Sequence, residues 1–127
     1  MRIVAIHHDG WTEHRLRWRL EIVDGRADLE ADWSGNPSPW GATFRLDEGP
    51  IRSALPLISG MGEDYRAPLD DQEDRDLLIE DGETSIRRHV YGAAFLVEGH
   101  PEVKDFIKFW RLLERAIEGS LPADVRP

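Results

Sequence analysis

The sequence predicts an α+β fold: a mostly antiparallel β-sheet with a C-terminal amphipathic helix packed on one face. Three observations lead there. Two stretches in which large apolar and charged side chains alternate strictly meet at Asp24-Gly25, the strongest short-range hairpin signal. Ile3-Val4-Ala5-Ile6 is an apolar, largely β-branched run without alternation, which reads as a central strand covered on both faces. Val103, Phe106, Ile107, Trp110, Leu113 and Ile117 recur at helical spacing behind Pro101, a residue suited to a first helical position.

The elements follow in chain order. After the first strand, Asp9-Gly10 turns the chain. In the hairpin, a two-residue turn at Asp24-Gly25 sets Val23 opposite Arg26. Counting outward pairs Leu20 with Leu29, Trp18 with Ala31 and Leu16 with Trp33 on the core face. On the other face Arg19 meets Glu30 and Arg17 meets Asp32. Arg15, Arg17 and Arg19 resemble a phosphate-binding stripe, but this register places acids across from two of them. A structural charge ladder is therefore expected there.

Residues 34–39 and Gly41 are rich in proline, glycine, serine and asparagine and read as a loop between Trp33 and Trp40. A strand over residues 43–46 and a short helix opening at Gly49-Pro50 come next, the helix cut short by Pro56 and ended by Gly60-Met61-Gly62. Residues 77–80 and 83–86 flank Asp81-Gly82 as a second hairpin. The following segment reads as strand up to Tyr91, a break at Gly92, and a buried strand over residues 93–97. The helix then runs from Pro101 to Glu118, and Gly119 stops it. The 127 residues suit a single domain, 1–127, with no internal repeat and no linker.

Composition narrows the function. The chain has no cysteine, which excludes disulfide frameworks, cysteine zinc sites, iron–sulfur clusters and thiol catalysis. No apolar run is long enough to span a bilayer, and no export signal is read at the N-terminus, so a cytoplasmic protein is expected. The net charge is −9. Residues 62–83 carry ten acids and two arginines, so nearly all of that charge belongs to one segment. The segment would repel nucleic-acid phosphates and anionic lipid surfaces, and it permits a basic protein partner. It is expected to be an exposed loop joining two halves of the sheet.

Candidate chemistry is sparse. His7-His8-Asp9 contains two metal-ligand types, but neighbours on a strand point to opposite faces, so His7 and His8 do not readily share an ion. One of them, or His14, could act as a base oriented by Asp9. The run from Asp70 to Asp76 lacks the glycine and the glutamate of a calcium loop, offering Arg75 and Asp81 there instead. No metal, cofactor or catalytic residue is assigned. There is no nucleophile elbow, phosphate loop, dinucleotide fingerprint or zinc-protease motif.

The expected function is a non-catalytic interaction domain that binds a basic protein, as an inhibitor, an immunity-type antidote or an accessory subunit. Asp70, Asp71, Glu73, Asp74, Asp76 and Tyr65 are the expected contact residues, with Met61, Leu69 and Leu77 as apolar anchors. A carbohydrate- or peptide-binding module using Trp33 and Trp40 is one alternative. A small histidine-dependent enzyme is the other.

Overall fold

The computed structural model describes residues 1–10, 15–34 and 40–119. Among the described residues seven strands form one sheet: β1 (Arg2–His8), β2 (Leu16–Val23), β3 (Arg26–Trp33), β4 (Trp40–Arg45), β5 (Asp64–Arg66), β6 (Asp74–Asp81) and β7 (Thr84–Tyr91). Their order is β4-β3-β2-β1-β6-β7-β5. Every neighbouring pair is antiparallel except β5 and β7, which are parallel. The described helices are α1 (Gly49–Ala54), α2 (Pro56–Ser59), α3 (Ala93–Leu96) and α4 (Pro101–Glu118).

The first hairpin has the register that its sequence dictates, from Val23↔Arg26 out to Leu16↔Trp33. Asp24 and Gly25 both have positive φ, 48° and 80°, as a two-residue turn matched to strand twist requires. The charge ladder beside it is only half as expected. Arg17 reaches Asp32 across the pair at 3.4 Å, but Arg19 turns along its own strand to Glu21 at 3.5 Å. Glu21 also takes Arg2 at 2.9 Å, so it gathers two arginines where Glu30 was expected to hold one.

One face of the sheet is the core layer. Ile3, Ala5, Leu16, Trp18, Leu20, Ile22, Leu29, Leu77, Ile79 and Val90 meet Ile51 of α1, Ile58 of α2, Leu96 of α3 and the apolar stripe of α4. Trp18 stacks on Trp110 with ring centroids 5.4 Å apart, and Trp110 on Phe106 at 5.6 Å. Burying these rings supplies roughly 2–3 kcal/mol each before entropy is counted. Arg88 is the buried cation of this face. Its Nε donates to the Ile58 carbonyl at 3.0 Å and its Nη2 to the Ser59 carbonyl at 3.3 Å. Those are end carbonyls of α2, and the Ile58 carbonyl also accepts from the Met61 amide at 3.4 Å.

Among the described residues the opposite face bears no helix. Ile6 is 37% exposed there, and Val4 is half-buried. β1 is therefore central, between β2 and β6, but not covered on both sides as its apolar run suggested. Antiparallel sheets tolerate one wet face, and Arg2 and His8 already belong to it.

Three further expectations need correction. Residues 62–83 are not one exposed loop. They contain the edge strand β5, a short connection, and β6, which pairs with β1 on one side and β7 on the other. The second turn falls at Gly82-Glu83, one residue later than expected, with Asp81 opposite Thr84. Only Gly82 has positive φ, 61°, the pattern of a turn that needs glycine first. Residues 93–96 are helical rather than a buried strand. Gly92, at φ 75°, breaks the strand as expected, but the chain then closes a helical turn, with Ala93 and Leu96 at i,i+3 facing the core. No described helix is long and apolar enough to cross a membrane.

A candidate functional site on the open sheet face

The alternation of β6 puts Asp74 and Asp76 on the open face and Leu77 and Ile79 in the core. The hairpin register sets Asp76 directly opposite His89, and the parallel pairing of β5 sets Asp64 on the far side of His89. Four titratable side chains from three adjacent strands thus share one patch. His89 Nδ1 donates to Asp64 Oδ1 at 2.7 Å, and Nε2 donates to Asp74 Oδ1 at 2.5 Å. Ligand atoms of Asp74, Asp76 and His89 lie within 4.8 Å of one another.

The electrostatics follow from this crowding. Partial burial disfavours a charged His89, but the bonds to Asp64 and Asp74 outweigh it and raise its pKa above the usual 6.5. Burial raises the pKa of Asp76. The neighbouring Asp74 and Asp64 charges add to the rise, while the His89 cation opposes it. Asp64 and Asp74 share one imidazole, and Asp76 stands beside them with the Arg87 cation also opposing its rise. Arg66, beside them on β5, lies over the Tyr91 ring 5.7 Å from its centroid.

The connection from β5 to β6 brings further acids to the same end. Asp71 joins Asp74, His8, Asp9, Gln72 and Tyr91 around a small pocket of about 320 Å³. Tyr91 holds that connection by accepting from the Gln72 amide at 3.1 Å. Gly10 is required beneath it, since a Cβ there would sit 2.0 Å from the Asp71 carbonyl oxygen.

The residues expected to meet a partner therefore divide. Asp74 and Asp76 share the open face, and Asp70 and Asp71 are exposed in the connection beside it. Glu73 pairs instead with Arg75 at 2.7 Å. Tyr65 lies on the helix side, half-buried, where its hydroxyl accepts from the Gly62 amide at 2.9 Å and its ring meets His100 edge-on. Of the expected apolar anchors, Met61 and Leu77 are core residues closed to any partner, and only Leu69 is exposed. Leu77 faces the helix side of β6, and Met61, just after α2, is buried in the same core.

The other sequence candidates separate further. His7 is buried, stacked on Trp18 at 5.6 Å, with Nε2 held by Asp9 Oδ1 at 2.6 Å. Asp9 also accepts from the Leu16 amide at 3.0 Å. Burial raises the Asp9 pKa, but the bonds from His7 and Leu16 outweigh that and lower it. His7 is thereby closed into the sheet end, and only Asp9 of this pair reaches the pocket beside Asp71. His8 faces the open side and bonds only to the adjacent Asp9 carbonyl among the described residues. Trp33 and Trp40 are both half-buried against the core. His14 and most of the loop between the two tryptophans lie outside the described residues.

Sequence reasoning missed Asp64 and His89. The signal was the second hairpin itself, because counting back from its turn carries His89 to the acids of β6. No protein-family model matches the chain, and a search of curated proteins finds no match.

Proposed function

We propose that the chain is a non-catalytic interaction domain that docks a basic protein on the acidic end of its open sheet face, through Asp64, Asp70, Asp71, Asp74 and Asp76. One observation carries the reading. The described helices pack on the other face, and the uncovered face changes character along the strand order. Around β1, β2 and β3 its charges pair off, Arg2 with Glu21 and Glu80 and Arg17 with Asp32. Around β5, β6 and β7 Asp64 and Asp74 share one imidazole with Asp76 close by, beside exposed Asp70 and Asp71.

A surface on which acids outnumber bases costs stability, and its use is to attract the opposite sign. Ile6 and the half-buried Val4 and Leu78 add apolar area in the same face, the kind of centre that charges alone do not provide. The buried setting of His7 removes one of the three histidines that the enzyme alternative could use.

The test is to find where the partner sits. A photo-cross-linking residue placed at Leu69 or Arg87, exposed beside those acids, should capture a basic protein from the native host. The same residue at Lys108 or Arg111 on α4 should not. Adducts only from the α4 positions would contradict the reading.

A further inference from the structure

We infer that Asp74, Asp76 and His89 form a binding site for one divalent transition-metal ion, of the zinc and manganese class, on the open face of the sheet. The inference goes beyond the docking surface and does not depend on it.

Placement argues first. Asp74 and Asp76 stand two residues apart on β6, so both side chains rise from the same face. His89 is the direct cross-strand neighbour of Asp76 and the diagonal neighbour of Asp74. A tetrahedral ion with bonds of about 2.1 Å wants ligand atoms about 3.4 Å apart. The three ligand atoms already lie within 4.8 Å of one another, so closing on an ion takes side-chain shifts of about 1 Å. β6 is hydrogen-bonded along both edges, so its side chains start from a fixed backbone.

The second argument is the far side of the imidazole. A ligating histidine commonly gives its other ring nitrogen to a carboxylate, which sets the ring's orientation and raises its basicity. His89 does this with Asp64 through Nδ1, leaving Nε2 aimed at the two aspartates of β6. Asp64 comes from a third strand and stands behind the ring, so it orients the ligand rather than competing for the ion.

Charge and donor type set the ion's class. Two carboxylates and a neutral imidazole balance a divalent ion, which displaces the Nε2 proton to solvent on binding. An imidazole nitrogen among few oxygens suits zinc or manganese better than calcium or magnesium, which prefer six or more oxygens or a hydrated octahedron. Three protein ligands leave at least one coordination position open to solvent.

The experiment uses zinc alone on the full chain, stripped with chelator and dialysed. Calorimetry should show a micromolar site of one zinc per chain. The His89 ring nitrogens should shift in NMR as Nε2 gains the ion. Asp76→Asn and His89→Gln should each weaken that site at least tenfold, and Asp64→Asn by about 10–100-fold. His100→Asn, on the helix side, should change affinity less than twofold. Asp76 is exposed, so its variant should keep the wild-type circular dichroism. No zinc binding at millimolar metal, unchanged affinity in Asp76→Asn and His89→Gln, or equal affinity for magnesium and zinc would each overturn the inference. None of these outcomes bears on partner docking, which is measured with chelator present.

Discussion

Arg88 is the most exacting point at which to perturb this fold. It sits on β7 opposite Leu77, turned into the core side, and is 8% exposed. Its Nε and Nη2 tie Ile58 and Ser59 of α2 to the sheet, and Nη1 donates to its own neighbour's carbonyl, Arg87, at 2.9 Å. Arg88→Met keeps the aliphatic bulk and removes the donors. Hydrogen bonds from a charged group contribute roughly 1.5–3 kcal/mol each, while the Ile58 carbonyl keeps the Met61 amide at 3.4 Å. Against that stands the gain from no longer burying a charge. The net cost should be about 3 kcal/mol. Arg88→Lys, with a point charge that reaches fewer carbonyls, should cost about 1–2 kcal/mol. Urea unfolding gives both values, and hydrogen exchange at the Ser59 and Met61 amides should speed up in the methionine variant. A loss under 1 kcal/mol for Arg88→Met, with exchange in α2 unchanged, would refute the claim that Arg88 caps α2.

Two further substitutions test other joints. Asp9→Asn should cost about 1–2 kcal/mol at pH 7, because it weakens the bonds to His7 and the Leu16 amide. Since the folded Asp9 pKa is lowered from 3.8, its contribution is complete above that value and is lost as pH falls through the folded one. The gap between variant and wild type should therefore close in acid, and a gap that widens there would contradict the assignment. Gly92→Ala should cost about 1–3 kcal/mol, since φ is 75° and the new Cβ would lie 2.5 Å from the Ala67 Cβ. Thermal unfolding checks this, and an unchanged midpoint would count against the turn geometry.

The strands were legible wherever a local signal had a face to report on. Strict alternation across Asp24-Gly25 specifies both the turn and every pair beyond it, because a slip would carry Leu16, Trp18 and Leu20 away from α4. The second hairpin lacks strict alternation: Leu77-Leu78-Ile79 is continuous, so the pattern does not choose between neighbouring turns, and the loop moved by one residue. That shift matters for the site. A turn at Asp81-Gly82 would set Asp74 opposite His89, whereas the turn at Gly82-Glu83 sets Asp76 there. β5 was illegible because three residues carry no period. Residues 93–97 are apolar throughout, and a short apolar run reads equally as strand or helix. The acids of residues 62–83 read as a loop because charge masked the apolar residues of β6, whose wet face accommodates Asp74 and Asp76. His89 looked isolated, since a site assembled across strands leaves no spacing motif along the chain.

The docking claim is tested most directly by the rate at which the captured basic partner associates with wild type and with Asp70→Asn/Asp71→Asn/Asp76→Asn. All three acids are exposed, so the fold should be unaffected. Measured by stopped flow with chelator present, the triple variant should associate at least about tenfold more slowly at low salt. The two should converge at high salt, where charges are screened within a few ångströms, with dissociation little changed. Equal association rates at low salt would show that the acidic end of the open face does not guide the partner, and would contradict the account.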